Sequence, residues 1–294
     1  MADRVPLTFI RCKVLRYLTL LLCGWLAACT PFDNIRGAPA LDKDLAAPIT
    51  AMSFNIRLAL GQDDPDGKIS KMPWGRKLPE VIAAIRASEA DIVALQEVAG
   101  VSQIRSIAEA LNMNFAFEWH ETGSTSKPWW GVGILSVYPI LDARGVQISS
   151  GRGNTRSIVI AKISTHQGRI SVFSIHKDKD LKDGLSVANV LAEANGEADP
   201  VLLIGDFNIR PEDKRLAGLL KKFTDTATAV SSAAAAKAIA RGTFYPSKKR
   251  IDYIFAEARA FEVVDAGLVD ESHWLASDHI GYIARLNLKH RANK

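Results

Sequence analysis

Five short clusters of polar residues each follow an apolar segment of this 294-residue sequence. They are Met-Ser-Phe-Asn at 52–55, Ala-Leu-Gln-Glu at 94–97, Phe-Ser-Ile-His at 173–176, Leu-Ile-Gly-Asp-Phe-Asn at 203–208 and Ser-Asp-His at 277–279. Short apolar segments of this kind predict buried strands. Side chains at strand ends can project from several strands into one crevice. The clusters therefore predict a single polar site assembled from distant parts of the chain.

The side chains that these clusters supply form a hard, oxygen-rich set without sulfur. They are Asn55, Glu97, His176, Asp206, Asn208, Asp278 and His279. The three cysteines, Cys12, Cys23 and Cys29, all precede residue 30, so the rest of the chain has no thiolate ligand, cysteine nucleophile or internal disulfide. Carboxylate and amide oxygens suit Mg²⁺ or Mn²⁺ rather than Zn²⁺. The set therefore predicts a site for Mg²⁺ or Mn²⁺.

Each cluster taken alone has an ordinary structural interpretation. His176 at a strand end could be a structural histidine with satisfied hydrogen bonds. Asp206 and Asn208 could shape a turn, and Glu97 could favour the dipole of a following helix. The functional hypothesis depends on all five clusters occurring in one chain.

Short apolar segments alternate with amphipathic ones from Ile49 onward. We predict strands at Ile49–Ile56, Asp91–Leu95, Gly133–Ser136, Ser157–Ile163, Ile170–Ser174, Val201–Ile204, Ile251–Phe255 and Tyr282–Leu288. We predict helices at Leu78–Ser88, Val101–Leu111, Leu185–Ala194, Leu216–Lys222 and Ala227–Ala240. No interior linker or repeat interrupts the pattern, which predicts one α/β domain over residues 49–294 with two mixed sheets.

The first 28 residues have the features of an export signal. A basic segment precedes an apolar one at Tyr17–Ala28, which is too short to span a bilayer comfortably. Leu-Ala-Ala-Cys at 26–29 resembles a bacterial lipobox, whose cysteine becomes lipidated. We predict an exported lipoprotein, held on the periplasmic or cell-surface side of a membrane through Cys29. Residues 29–48 then form a flexible tether. A plain signal peptide cut near Ala28 is the alternative.

The net charge of +5 comes mostly from this N-terminal segment. Its four basic residues and one acidic residue leave a net charge of about +2 for the rest of the chain. Whole-chain charge is therefore no argument for nucleic acid as a partner. No obligate protein partner is evident in the sequence either.

In their order the clusters resemble the motifs of the endonuclease/exonuclease/phosphatase superfamily, which has the DNase I-like fold. Asn-Ile-Arg at 55–57, Leu-Gln-Glu at 95–97 and Ile-His at 175–176 resemble its first three motifs. Gly-Asp-Phe-Asn at 205–208 and Ser-Asp-His at 277–279 match its last two. The resemblance runs from about Ile49 to Leu288. It implies a four-layer α/β sandwich, in which two packed mixed β-sheets are flanked by helices.

The resemblance also implies metal-dependent hydrolysis of a phosphodiester. Glu97 would be the principal carboxylate on Mg²⁺ or Mn²⁺, assisted by the amide oxygen of Asn55. Asp206 would orient or deprotonate the attacking water, and Asn208 would bind the phosphate.

Two histidines and three further residues complete the implied site. His279, as an imidazolium, would donate to the phosphate, while Asp278 would fix its tautomer and raise its pKa. His176 would be a second donor to the phosphate. Asp252 would support a histidine. Arg156 matches an arginine that many relatives carry near the site, although it could also be a surface residue at a strand start.

One departure from the family pattern concerns the leaving-group acid. Many nucleases of this fold carry a tyrosine before the strand that starts near Gly131, whereas this chain has Trp129 and Trp130 there. Indole can stack on a ring and donate one N–H, but it cannot act as a phenol. The leaving-group acid is therefore unassigned, and the two tryptophans could equally be packing residues.

The motifs indicate a reaction class and leave the substrate open. Nucleic acid is the leading candidate substrate, since six basic residues could contact phosphates along a groove. They are Arg144, Arg152, Arg156, Lys248, Lys249 and Arg250. A phospholipid or sphingomyelin phosphodiesterase, or a phosphomonoesterase of the same superfamily, is the alternative. A non-catalytic, membrane-anchored binding module is a third hypothesis.

Overall fold

The computed structural model describes residues 28–29, 31–36, 44–62, 74–120, 130–148, 155–178, 185–230 and 232–289. The predicted export signal, apart from its last residue, lies outside these ranges. So does Trp129. No helix among the described residues is both long enough and apolar enough to cross a membrane.

Fourteen strands and five α-helices make up the regular structure of the described ranges. The strands are β1 (Ala28–Cys29), β2 (Phe32–Asp33), β3 (Ile49–Asn55), β4 (Ile92–Val98), β5 (Asn114–Trp119), β6 (Gly131–Ser136), β7 (Ile140–Gln147), β8 (Ser157–Thr165), β9 (Gly168–His176), β10 (Val201–Asp206), β11 (Phe223–Asp225), β12 (Asp252–Glu257), β13 (Phe261–Leu268) and β14 (Tyr282–Leu288). The helices are α1 (Leu78–Ala87), α2 (Val101–Leu111), α3 (Leu185–Gly196), α4 (Ala217–Leu220) and α5 (Ala233–Ala240).

The strands form two seven-stranded sheets. The first has the order β1-β7-β8-β9-β10-β12-β11, and the second has the order β13-β14-β3-β4-β6-β5-β2. Each sheet contains one parallel pair, β9 with β10 in the first and β3 with β4 in the second, and its other pairs are antiparallel. Helix α1 connects β3 to β4 and helix α3 connects β9 to β10, because parallel strands require a crossover connection.

These two crossover units decide where the polar clusters lie. The carboxyl ends of parallel neighbours lie at the same edge of a sheet. Phe54 is paired with Leu95 in one unit and Ile175 with Gly205 in the other, just before the polar ends of the four strands. The clusters that end β3, β4, β9 and β10 are thereby gathered at one edge of each sheet.

The packing has four layers. Side chains from the inner faces of both sheets form a central apolar cluster that includes Ile134, Val172, Ile204 and Ile254. Helices α1 and α2 cover the outer face of the second sheet, and α3 and α4 cover that of the first. The predicted four-layer sandwich of two mixed sheets flanked by helices is confirmed.

Two predicted helices differ from the observed ones. The alanine-rich helix begins at Ala233 and not at Ala227, because Thr226 bonds both Ile254 O and Tyr282 Oη through its hydroxyl. Residues 226–228 instead form a 3₁₀ turn, and Ser232 caps the later helix through Ala235 N. The helix predicted at Leu216–Lys222 is shortened to Ala217–Leu220 after another 3₁₀ turn.

Besides β1 and β2, which fall in the predicted signal and tether, four strands that contribute to the sheets were not predicted from the pattern. They are β5, β7, β11 and β13. Strands β7 and β13 carry polar and exposed positions, and β11 is only three residues long. Their conformation depends on the neighbour with which each one pairs, which local periodicity does not reveal.

The predicted tether is not free along its whole length. Residues 32–33 extend the second sheet as β2, paired with β5. The side chain of Asn34 donates to Ile140 O at 3.0 Å and accepts from Ile140 N at 2.9 Å. Phe117 N donates to Pro31 O at 3.0 Å. The expectation of a flexible segment over 29–48 is therefore corrected for Cys29, which pairs with Arg144 of β7, and for residues 31–34, which are hydrogen-bonded to the domain.

Candidate active site

Asp206 lies at the centre of the candidate active site. It ends β10, where it is paired with His176 of β9 on one side and with Asp252 of β12 on the other. The residue before Asp206 is Gly205, and β9 packs so close to it that a Cβ there would overlap the carbonyl oxygen of Ile175. Gly205 also has a φ of 150°, which side chains rarely permit.

The carboxylate of Asp206 is buried and hydrogen-bonded on both oxygens. Its Oδ1 accepts from Asn208 N at 2.8 Å, and its Oδ2 accepts from Asn208 Nδ2 and Asn55 Nδ2 at 3.2 Å. His176 Nε2 and His279 Nε2 lie 3.6 and 3.8 Å from Oδ2. Asn208 therefore orients Asp206 in this structure, and its predicted contact with phosphate stays a prediction.

The environment of Asp206 favours its protonated form. Burial, reinforced by the negative charge of Asp252, raises the pKa of Asp206 to about 7, although His279 and the Asn208 amide oppose the rise. A carboxylate with such a pKa can accept a proton from water near neutral pH.

His279 is paired with Asp252 and not with its sequence neighbour. His279 Nδ1 lies 2.9 Å from Asp252 Oδ2, whereas the side chain of Asp278 lies 3.4 Å from Arg57 Nε. Consecutive side chains of an extended segment point in opposite directions. The predicted role of Asp278 in fixing the His279 tautomer is therefore corrected, and Asp252 holds that position.

His279 is held as a cation. Burial alone would lower the pKa of His279, but the charges of Asp252, Asp206 and Asp278 outweigh burial and raise it to about 10. Asp252 is itself oriented by Thr243, whose Oγ1 accepts from Asp252 N at 3.1 Å. The sequence carried no signal for Thr243, which belongs to none of the clusters.

Replacing Asp252 with Asn should lower the pKa of His279, since the ring loses the carboxylate that most opposes burial. We expect the alkaline limit of the kcat/KM profile to move down from about 10 by one unit or more. Turnover on the plateau should fall about 10- to 100-fold. A pH series on a chromogenic phosphodiester checks this, with Asp142→Asn on β7 as the control. An unchanged alkaline limit would contradict the pairing.

Glu97 faces the same cleft from the second sheet. A break in register between Gln96 and Val98 accompanies a φ of 53° at Glu97, an unusual conformation for a side-chain-bearing residue. Glu97 Oε1 accepts from Asn55 Nδ2 at 3.1 Å and lies 4.0 Å from His176 Nε2. Burial, and then the charge of Asp278, raises the pKa of Glu97.

The amide of Asn55 is turned so that its nitrogen faces the carboxylates. Its Oδ1 accepts from Arg57 N at 3.0 Å, which identifies the oxygen by its partner. Ligation of a metal through Asn55 Oδ1 would require the amide to rotate, and it stays a prediction.

One group of three residues and one further carboxylate, that of Glu97, could hold a divalent cation. Ligand atoms of Asp206, Asp252 and His279 lie within 4.8 Å of one another. Asp252 Oδ1 is buried and has no hydrogen-bond partner among the described residues. Glu97 is the other carboxylate donor, and its side chain remains 21% exposed toward the cleft.

Arg156 and Trp130 form one wall of the cleft. The Arg156 guanidinium lies 4.4 Å from the Trp130 ring centroid, and its Nε is 3.9 Å from Asp178 Oδ2. The Trp130 ring is 5.2 Å from that of His176. Arg156 is buried, so its alternative interpretation as a surface residue is wrong.

His120 is a site residue that belongs to none of the five clusters. It directly follows β5 and is buried against Trp130 and His176, with ring centroids 5.2 and 5.7 Å away. The rule that polar residues follow strand ends applies to His120 as well. It was missed because β5 was not predicted.

Two of the basic residues considered for phosphate binding have structural roles. Arg144 binds Glu193 and Glu197 at 2.8 Å, and Arg250 binds Asp225 at 2.6 Å. Neither is available as a free phosphate contact, which corrects that part of the nucleic-acid hypothesis. Arg152 lies outside the described residues.

A family profile described as "Endonuclease/Exonuclease/phosphatase family" matches residues 52–279. The chain belongs to this family. The match contains every predicted catalytic and metal-binding residue of the site, from Asn55 to His279. Members of the family are hydrolases that act on phosphoester bonds, and the family depends on divalent metals. A comparison with curated proteins gives no match.

Solved structures share the fold of this family member. An endonuclease/exonuclease/phosphatase from Bacteroides vulgatus has 19% identity and a TM-score of 0.66, covering 82% of this chain and 99% of that one. The human nocturnin catalytic domain with bound sulfate has 16% identity and a TM-score of 0.63, covering 88% and 97%. A mannosyl-6-phosphatase from Bacteroides thetaiotaomicron has 19% identity and a TM-score of 0.60, covering 81% and 99%.

Proposed function

We propose that the protein is a divalent-metal-dependent phosphodiester hydrolase that acts on nucleic acid. The observation that carries the proposal is the pair formed by Asp206 and His279. A buried carboxylate with a pKa of about 7 lies 3.8 Å from an imidazole with a pKa of about 10. Between these two values the pair offers a base and a cationic donor together, which is what water attack on a phosphoester needs.

The residues of the pair have complementary tasks. Asp206 orients the attacking water and takes its proton as the oxygen–phosphorus bond forms. The bond from phosphorus to the leaving ester oxygen breaks in the same displacement, and that oxygen takes its proton from solvent water. His279 donates a charged hydrogen bond from Nε2 to a phosphoryl oxygen, where negative charge develops. Arg156 and His176 add donors on the opposite wall of the cleft.

Glu97 is the residue that we assign to the metal. Glu97 has a single hydrogen bond among those described, from Asn55, and a face open to the cleft. By contrast, Asp206 already accepts hydrogen bonds from Asn208 and Asn55. Asp252 holds His279. One carboxylate with water and substrate oxygens suits Mg²⁺ or Mn²⁺. When bound there, the cation supplies Lewis-acid polarisation of the phosphoryl group.

Replacing Glu97 with Gln should weaken metal binding while keeping the side-chain shape. We expect the Mg²⁺ concentration for half-maximal turnover to rise about 10- to 100-fold. Mn²⁺ binding measured by calorimetry without substrate should weaken by a similar factor. Glu193→Gln, which alters an ion pair remote from the site, is the control. Unchanged Mn²⁺ affinity in Glu97→Gln would remove Glu97 from the metal site.

A basic groove beside the site supports nucleic acid as the substrate. Its polar lining comprises Arg210, Glu212, Thr228, Ser247, Lys248, Lys249 and Arg250. Arg210 lies 3.8 Å from Glu212 and Arg250 binds Asp225, so Lys248 and Lys249 are the cations that matter here. The groove lies between the segment that leaves β10 after Asp206 and the segment that leads into β12 before Asp252. A polynucleotide could therefore place one phosphate at Asp206 and its neighbours against these cations.

Two exposed apolar residues favour a lipid headgroup as the second candidate substrate. Tyr245 and Leu275 are both about half exposed, and Tyr245 N donates to the carbonyl oxygen of Asp278. A surface of this kind could contact acyl chains. The mannosyl-6-phosphatase neighbour adds phosphomonoesters as a third class.

A substrate panel distinguishes these functions. Plasmid DNA, RNA, sphingomyelin vesicles and sugar phosphates are offered with Mg²⁺ or Mn²⁺, with and without EDTA. We expect EDTA-sensitive cleavage of nucleic acid, weakened when Lys248 and Lys249 are both changed to Ala. Preferential hydrolysis of sphingomyelin or sugar phosphates would overturn the substrate assignment. No metal-dependent turnover of any substrate would favour the non-catalytic binding module.

We also propose that lipidated Cys29 attaches the enzyme to a membrane. The lipobox-like sequence at 26–29 supports this, because a diacylated cysteine carries enough acyl chain for stable anchoring. Cys29→Ser should move the protein from the membrane fraction to the soluble fraction of cells. Wild-type protein found wholly in the soluble fraction would contradict the anchor.

A further inference from the structure

His120 is a buried histidine of the cleft whose chemistry the proposed function does not use. It is only 2% exposed, and its ring contacts those of Trp130 and His176, which also contact each other. Its position within the cleft raises the question of which ring nitrogen carries the proton and which group receives it.

The hydrogen bond to Ser157 identifies the tautomer of His120. Ser157 N donates to His120 Nδ1 at 3.1 Å. A ring nitrogen that accepts a hydrogen bond carries no proton, so the proton of the neutral ring is on Nε2. Burial and the nearby positive charge of Arg156 hold the pKa of His120 well below its usual value, which keeps the ring neutral. His120 Nε2 is a buried donor without a partner among the described residues.

His176 has a buried ring nitrogen that complements the unpartnered donor of His120. Its Nε2 faces two carboxylates, Asp206 Oδ2 at 3.6 Å and Glu97 Oε1 at 4.0 Å, which favour a proton on that nitrogen. With its proton on Nε2, the neutral ring has a lone pair on Nδ1. Its Nδ1 is then an acceptor, and it too is buried without a partner among the described residues.

We propose that His120 is a positioning residue that holds His176 in its Nε2–H tautomer. The two nitrogens make no direct hydrogen bond, and the Nε2–H of His120 serves His176 Nδ1 through one bridging water. Such a water would satisfy one buried donor and one buried acceptor on neighbouring rings, as buried polar atoms generally must be satisfied. The chain of donors then runs from Ser157 N through His120 and His176 to the substrate.

The water-mediated hydrogen bond from His120 fixes which ring nitrogen of His176 carries the proton. With Nδ1 occupied, His176 presents an N–H to a phosphoryl oxygen at Nε2. The opposite tautomer would present a lone pair to that oxygen and to Asp206, which is repulsive. The effect on turnover rests on the proposed function, whereas the tautomer itself does not.

Nitrogen NMR of ¹⁵N-histidine-labelled protein in EDTA tests the tautomer without any turnover. His176 is assigned by the loss of its signals in His176→Gln. In the wild type we expect both His120 and His176 to be protonated at Nε2. His120→Phe keeps a ring against Trp130 and removes the donor, so His176 should populate both tautomers. His120→Gln, whose amide can still donate, should restore the Nε2–H form.

Kinetics on a phosphodiester give the second readout. His120→Phe should lower kcat about 10- to 100-fold with KM within about twofold, and His120→Gln should recover much of the loss. His166→Gln is the control, because His166 is bonded to Tyr138 and Ala47 away from the cleft.

Two results would overturn the proposal. One is a wild-type His176 protonated at Nδ1. The other is an unchanged His176 tautomer in His120→Phe. If the wild type hydrolyses no phosphoester at all, the proposed function fails while the NMR result still decides the tautomer.

Discussion

Replacing Asp206 with Asn is expected to lower kcat/KM by about 10³-fold or more. The amide has the shape of the carboxylate but cannot take a proton from water, and a positioned base contributes about 10²- to 10⁴-fold. The loss of a negative charge beside His279 should add to the effect. Hydrolysis of a chromogenic phosphodiester with saturating Mg²⁺ measures it. Turnover within tenfold of wild type would remove Asp206 from its role as the base.

The same substitution should stabilise the metal-free protein above pH 7. The folded state binds the Asp206 proton more tightly than the unfolded chain, since its pKa is about 7 against an ordinary value of 3.8. The protonated form of Asp206 therefore contributes stability at low pH, and this contribution is lost as pH rises through about 7. Removing this buried charge should raise Tm in EDTA at pH 8, by about 2–4 °C for each kcal/mol gained.

Asp213 provides a matched control with the opposite sign. Its pKa is lowered to about 2 by the side chain and backbone of Arg215. This carboxylate contributes stability above the ordinary pKa, and that stability is lost only as pH falls toward 2. Asp213→Asn should leave kcat unchanged and should not raise Tm at pH 8. A higher Tm in both variants would mean that burial of Asp206 is not the cause.

Replacing His279 with Gln is expected to cost about 10³-fold in kcat/KM. Glutamine can donate a hydrogen bond but carries no charge, and charged donors aimed at a developing oxyanion are worth about 10²- to 10³-fold each. The orientation that Asp252 gives through its 2.9 Å bond should be lost as well.

The pH profile of His279→Gln distinguishes the loss of the imidazolium charge from the loss of the ring shape. The alkaline limit near pH 10 that we assign to His279 should disappear from His279→Gln, while the acidic limit near pH 7 from Asp206 should remain. His273→Gln, in the turn that precedes the site, is the control and should keep both limits. An alkaline limit that persists in His279→Gln would assign it to another group.

Local patterns in the sequence predicted most of the sandwich and of its site. Apolar segments that end in Asn55, Glu97, His176 and Asp206 are strands in the structure, because a strand buried on both faces requires a continuous apolar segment. The same patterns did not predict β7 and β13, which carry exposed positions and become strands through pairing with neighbouring strands. They also placed the start of α5 six residues too early, at Ala227, which directly follows the Thr226 that is hydrogen-bonded to Tyr282.

The sequence by itself determined which chemical groups the site contains, and the tertiary structure decided how they are paired. Five motifs supplied three carboxylates, two histidines and two amides, and the motif Ser-Asp-His suggested Asp278 as the partner of His279. The register of β10 with β12 decided otherwise, because it places Asp252 beside Asp206 and within 2.9 Å of His279. Such pairings arise between strands that are far apart in the chain, and no local pattern encodes a long-range register. The relation of His120 to His176 depends on the same long-range packing.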